Sequence, residues 1–171
     1  MSESCIVPGP ANAQQAAKLN AMRNAPLTFM VCGEMLVTQA EIKETARAED
    51  YAAAKTLIEE YAAALGIDLC FQNFSEEIAT LPKVYGPPRG CLLLARINGT
   101  PAGCFAVRCK STDTCEMKRL CVNPHFRGDG LGKRLAQAAM RTAQKLGYSR
   151  IVLDTLSSMT EAQSLYESLG F

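Results

Sequence analysis

Three glycines stand on alternate positions in Arg127-Gly-Asp-Gly-Leu-Gly-Lys-Arg-Leu135, and the run continues straight into a helical pattern. Glycine lets a backbone adopt positive φ and come close to a ligand. A helix start supplies unpaired N–H groups and roughly half a positive charge. Gly128, Gly130 and Gly132 therefore let the backbone of residues 127–133 wrap around a phosphate or pyrophosphate. Two familiar spacings do not fit. The dinucleotide pattern G-x-G-x-x-G needs glycine where Lys133 stands, and G-x-x-x-x-G-K-[ST] fails at Arg127 and again at Arg134. What remains is R-x-x-G-x-G, formed by Arg127, Gly130 and Gly132. Asp129 sets a negative charge inside this anion loop, offset by Arg127, Lys133 and Arg134.

The loop needs a strand before it and a helix after it. The segment Cys115–Val122 reads as the strand, ended by Asn123-Pro124. Leu131, Leu135, Ala138, Ala139, Thr142 and Leu146 trace the inner face of the helix, with Lys133, Arg134, Gln137, Arg141 and Lys145 toward water. Upstream, Asn98-Gly99 between the apolar runs Cys91–Ile97 and Ala102–Cys109 is a hairpin signal, so three strands form an antiparallel meander. Downstream, Arg150–Leu156 is a strand parallel to Cys115–Val122, joined to it by the helix as a crossover. Ser158 and Glu161 form a capping box for a last helix, whose Ala162, Leu165, Tyr166 and Leu169 point inward. Before the meander, Ala53, Leu57, Tyr61 and Ala64 trace a helix stopped by Gly66, and Ser75 caps a shorter one that runs through Leu81 and ends at Pro82. The fold class is α+β, a mixed and mostly antiparallel sheet with one parallel β-α-β crossover, flanked by helices.

Taken together, the strand, the R-x-x-G-x-G loop, the helix, the next strand and the run Leu165-Tyr166-x-x-x-Gly170-Phe171 resemble the GNAT superfamily of N-acetyltransferases. The resemblance extends from about Glu41 to Phe171. It implies the GNAT (acyl-CoA N-acyltransferase) fold, with acetyl-CoA as donor cosubstrate. The implied reaction is direct transfer of the acetyl group to a primary amine of a small molecule or protein. By resemblance, the backbone of Leu120, Cys121 and Val122 pairs with the pantetheine amides. Arg127, Gly128, Asp129, Gly130, Leu131, Gly132 and Lys133 then form the pyrophosphate loop. Such transfer needs a neutral amine. Deprotonating a lysine-like amine of pKa about 10.4 near neutral pH costs roughly 4 kcal/mol, so a base is wanted, and an acid for the leaving thiolate. Glu116 stands eleven residues before Arg127, where histone-acetylating members carry their base. By period two it shares a strand face with Lys118, Leu120 and Val122; its other reading is an ion pair with Lys118 or Arg119. Tyr166 occupies the position of the tyrosine that meets the CoA sulfur in many members; its other reading is core packing.

Composition bounds the rest. The 171 residues suit one domain, and 48% hydrophobic with 20% charged residues describes a globular protein. A net charge of +1 gives no electrostatic case for nucleic acid or an anionic membrane surface, and no apolar run reaches the length of a membrane helix. Eight cysteines without a C-x-x-C pair, beside the single His125, predict no metal centre and buried reduced thiols, hence a cytoplasmic setting. Residues 1–36 read as a poorly ordered extension, with a short helix over Ala11–Met22 and an edge strand over Leu27–Leu36; residues 37–171 read as the catalytic domain. The chain ends at Gly170-Phe171, where members of the resembled superfamily continue into further strands. That predicts a C-terminally truncated domain with an open edge along Arg150–Leu156, an invitation to pair with a second chain as a homodimer. The missing strands and Asp129 also motivate an alternative function, a catalytically idle acyl-CoA-binding or interaction module.

Overall fold

The computed structural model describes residues 3–8, 40–65 and 73–171. In chain order the elements are β1 (Glu3–Pro8), β2 (Glu41–Glu44), α1 (Ala48–Leu65), α2 (Phe74–Ala79) and α3 (Leu81–Tyr85). There follow β3 (Cys91–Ile97), β4 (Thr100–Cys109), β5 (Thr114–Val122), α4 (Leu131–Lys145), β6 (Arg150–Thr155) and α5 (Thr160–Ser168). The six strands form one sheet in the order β1-β6-β5-β4-β3-β2. Among the described residues only the β5–β6 pair is parallel, and α4 connects it. The hairpin at Asn98-Gly99 joins β3 to β4, with φ of 51° and 79° at the two turn residues.

Each face of the sheet carries its own core. On one face, Leu93, Phe105, Val107, Met117 and Leu153 pack under Leu131, Leu135, Ala139 and Ala143 of α4. On the other, Leu92, Leu94, Cys104 and Ala106 pack against Ala54, Leu57 and Ile58 of α1 and against Leu81 and Tyr85 of α3. The inner stripe of α1 is thus Ala54, Leu57 and Ile58, with Ala53 and Tyr61 half-buried and Ala64 exposed. An alanine-rich helix leaves the rotation about its axis to its larger side chains, here Leu57 and Ile58.

Several local readings are corrected. Pro82 opens α3 at its first turn instead of ending a helix, because a proline there forfeits no helical hydrogen bond. Asn73, in left-handed conformation, stands at the N-cap of α2, and Ser75 lies inside the helix. The last helix starts one residue later than a capping box at Ser158 requires: its N-cap is Met159, with no side-chain cap. Arg134 does not simply face water, since its Nη2 donates to the Ala40 carbonyl at 2.8 Å. The open edge expected along Arg150–Leu156 is also corrected: β1 pairs antiparallel along all of β6, from Glu3 opposite Thr155 to Pro8 opposite Arg150. Residues 3–8 of the expected extension are therefore part of the sheet. The helix expected over Ala11–Met22, the strand over Leu27–Leu36 and the stop at Gly66 lie outside the described residues.

Candidate active site

The site begins with a departure from strand regularity. β5 pairs with β6 over Thr114–Met117 only, while its pairing with β4 continues to Val122 with a shift. Cys104 opposes Cys121 but Ala106 opposes Lys118, so Arg119 and Leu120 together stand against Phe105 in a β-bulge. Arg119 carries a φ of 58°, uncommon for a residue with a side chain. It is held there from α2. Arg119 Nε and Nη2 donate to the two carboxylate oxygens of Glu77 at 2.6 and 2.7 Å, and the guanidinium sits 5.0 Å from the centre of the Phe74 ring. The Tyr85 hydroxyl donates to the same carboxylate at 2.6 Å. Burial alone would raise the Glu77 pKa; the Arg119 and Tyr85 hydrogen bonds and the nearby positive charge override it and hold the carboxyl below its ordinary value.

The bulge overturns the period-two reading of this strand. Glu116 and Lys118 face the α1 side, but one added residue reverses the alternation. Leu120 and Val122 then pack on the α4 side, and Cys121 turns to the α1 side beside Cys104. The β5–β6 ladder ends at Met117, and beyond it a cleft of about 830 Å³ opens between the two strands. Its walls are Tyr61 and Phe74, the splayed end of β5, the glycine loop, and Leu165 and Tyr166 of α5.

The glycine loop lies at one end of this cleft. A short 3-10 turn over Pro124–Phe126 leads into it, and the Arg127 Nε donates back to the Val122 carbonyl at 3.0 Å. Gly128 and Gly130 have φ of 93° and 72°, and Gly130 is the N-cap of α4. An added Cβ at either would meet nothing within 4 Å, so it is the dihedral and not the space that requires glycine. The first N–H groups of α4 have no partner within the helix and open on this loop. Arg127, Gly128, Gly130, Leu131 and Gly132 line the cleft together with Leu120, Cys121 and Val122; Asp129 and Lys133 are exposed and lie outside the lining.

Residues 54–171 match the acetyltransferase (GNAT) family. The chain belongs to this family. The splayed β5–β6 pair with a glycine loop at its mouth is this GNAT domain's cleft. The chain is 46% identical to an uncharacterised N-acetyltransferase of Schizosaccharomyces pombe over 119 residues, 68% of this chain and 73% of that protein. It is 36% identical to the N-acetylaspartate synthetase of Danio rerio over 97 residues, which cover 56% of this chain but only 34% of the synthetase. An aminoglycoside N-acetyltransferase solved in complex with CoA has the same fold, with a TM-score of 0.63, 18% identity, and coverage of 78% of this chain and 88% of that one.

Within the GNAT cleft, the two residues singled out for proton transfer stand on different walls. Glu116 is buried on the α1 side. Its Oε2 accepts from Arg108 Nε at 2.7 Å, and its Oε1 lies 3.8 Å from Lys118 Nζ, too far for a hydrogen bond. The ion pair with Arg119 does not form, because Glu77 holds that guanidinium; Arg108, directly opposite Glu116 on β4, takes its place. Tyr166 is half-buried on α5, its ring edge-on to Phe171 at 5.9 Å. Burial raises the Tyr166 pKa, with a further push from Tyr61, so the phenol keeps its proton at neutral pH. Tyr61, likewise raised by burial, and Phe74 are cleft residues that sequence reasoning took only as helix or left unremarked. Tyr61 follows Ile58 by three residues on α1, but no local signal says that the far end of that helix overlooks a cleft. Burial lowers the Lys118 pKa, partly countered by Glu116. Among the described residues, no group of three His, Cys, Asp or Glu side chains stands together for a metal ion, and no helix is long and apolar enough to cross a membrane.

Proposed function

We propose that this GNAT domain transfers an acetyl group from acetyl-CoA directly to a primary amine of a small molecule or protein. The observation that carries the reading is the continuity of the cleft, which runs from the Gly128–Gly132 loop along Leu120–Val122 to Glu116 and Tyr166. The loop and the start of α4 offer N–H groups and a positive dipole to the pyrophosphate. The strand edge freed by the bulge offers amide and carbonyl groups to the pantetheine, with the thioester between the walls. Glu116 Oε1, which faces the Lys118 ammonium at 3.8 Å, takes the amine proton, directly or through water. Tyr166, protonated at neutral pH, donates to the leaving thiolate. An acidic acceptor such as aspartate heads the list of amines to try. The likeness to N-acetylaspartate synthetase suggests it, and Lys118, which lines the cleft 3.8 Å from the Glu116 carboxylate, puts a cation there to meet an acidic acceptor.

The alternative, a catalytically idle acyl-CoA-binding module, draws less support from the pairing of β1 along β6 and from the exposed Asp129 outside the cleft lining. Two measurements test the proposal. Calorimetric titration with acetyl-CoA is expected to give a saturable heat, abolished in Gly130→Glu while the circular dichroism spectrum is unchanged. Thiol release from acetyl-CoA is expected with at least one amine in a panel of amino acids, polyamines and peptides. A Gly130→Glu protein that binds acetyl-CoA as tightly as the parent would overturn the loop assignment. Binding without turnover on any amine would return the reading to an acyl-CoA-binding module.

A further inference from the structure

The bulge at Arg119 and Leu120 has a second effect, on the sheet face away from α4. By reversing the side-chain alternation it sets Cys121 directly opposite Cys104, and the two sulfurs stand 3.1 Å apart. Both thiols are free and buried, enclosed by Leu92, Leu94 and Ala106 beneath α1. Residues directly opposite in an antiparallel ladder have Cα atoms about 4.5–5.5 Å apart, inside the roughly 4.4–6.8 Å that a disulfide spans. The molecule contains its own contrast. Cys109 and Cys115 also oppose one another across β4 and β5, but the exposed Cys109 sulfur turns to the Ser111 carbonyl at 3.3 Å. Cys121, unlike Cys104, is one of the residues lining the cleft, so a small reagent there adjoins the pair.

We propose that Cys104 and Cys121 form a dithiol redox site that closes to a cross-strand disulfide by exchange with a small organic disulfide entering through the cleft. Cys121 lines the cleft and Cys104 lies behind it, so Cys121 is the sulfur that an entering disulfide meets first. The Cys121 sulfur attacks one sulfur of the small disulfide, giving a mixed disulfide and one departing thiol. Cys104 then attacks the Cys121 sulfur and releases the second half as another thiol. Two protein thiols are oxidised, one small disulfide is reduced to two thiols, and the two S–H protons leave on those products. The bond ties the splayed half of β5 to β4 at the cleft floor. None of this depends on what the cleft binds in catalysis.

Peptide mapping decides it. The full chain, reduced and freed of reductant, is incubated with oxidised glutathione and digested with trypsin without reduction. Cleavage after arginine and lysine leaves Cys104 in Ile97–Arg108 and Cys121 in Leu120–Arg127, so a bond between them joins two otherwise separate peptides. The expected result is that joined pair, lighter than the sum by two hydrogens and separated again by dithiothreitol. In Cys104→Ser the expected product is a glutathione adduct at Cys121 that cannot resolve. In Cys121→Ser, Cys104 stays unmodified. The proposal is overturned if Cys104 and Cys121 both stay free in the wild-type chain while Cys109 takes up glutathione, or if the only bridge found is Cys109–Cys115. Because the wild-type map alone decides between these results, a misfolded variant would not shelter the proposal.

Discussion

The two halves of β5 do different work. Thr114–Met117 is a strand in the ordinary sense, paired to β4 on one side and β6 on the other, with every residue buried. Lys118–Val122 keeps only its β4 neighbour, bulges at Arg119, and leaves its other edge on the cleft. Ladder hydrogen bonds stabilise a sheet but use up the groups that would recognise a ligand. A strand that must do both has to change over at some residue, and the change is costly. Here the cost is a left-handed Arg119, of order 1–2 kcal/mol for a residue with a Cβ, offset by the clamp from Glu77 and Phe74.

Breaking the clamp is expected to damage the cleft as well as the fold. Glu77→Gln leaves Arg119 charged without its counterion and should lose about 3 kcal/mol of stability at neutral pH. Acetyl-CoA affinity is expected to fall with it. The pH dependence has a definite sign. The folded-state pKa of Glu77 lies below its ordinary value, so the carboxylate's contribution is present above the unfolded pKa and fades as pH drops through the folded one. Urea melts of parent and variant should therefore converge on acidification and differ most at neutral pH.

Met117→Ala probes the anchored half. The side chain is 2% exposed, and the cavity should cost about 2.5 kcal/mol in the same melts. Met117 borders the cleft only at its anchored end, so acetyl-CoA affinity of the folded variant should fall less than in Glu77→Gln. If Met117→Ala weakens binding as much as Glu77→Gln does, the two halves are not separable.

Smaller changes sharpen the cleft side. Tyr166→Phe keeps the ring and its contact with Phe171 while removing the proton. Steady-state assays should give a kcat about thirtyfold lower, roughly 2 kcal/mol, with acetyl-CoA affinity and melting temperature nearly unchanged. An unchanged kcat would leave Tyr166 as packing alone. The smallest effect is expected of Lys118→Met, which keeps the stem and removes the ammonium. KM for aspartate should rise about tenfold, some 1.4 kcal/mol, while KM for an uncharged amine stays put. Equal effects on both acceptors would exclude Lys118 as the group that reads a carboxylate.

Short-range chemistry in the sequence already settled much of this protein. Asn98-Gly99 makes its hairpin because the turn's dihedrals suit those two residues, whatever else the chain does. Gly128 and Gly130 announce the loop, and the apolar stripe from Leu131 to Thr142 announces the helix behind it, because each signal lies within a few residues of its effect. The family, too, was legible in the run from Cys115 to Phe171. Tertiary structure alone decided where β5 gives up its regularity. No local preference puts an arginine at positive φ; the bidentate grip of Glu77 does, from forty-two residues away. That one residue determined which side chains of β5 share a face, and so moved Leu120 and Val122 to the α4 side and brought Cys121 against Cys104. It also freed Arg119 from Glu116 and gave that carboxylate to Arg108. The partner of β6 was equally out of reach, since Glu3–Pro8 and Arg150–Thr155 lie at opposite ends of the chain and strand pairing at such separation leaves no periodic trace in either segment.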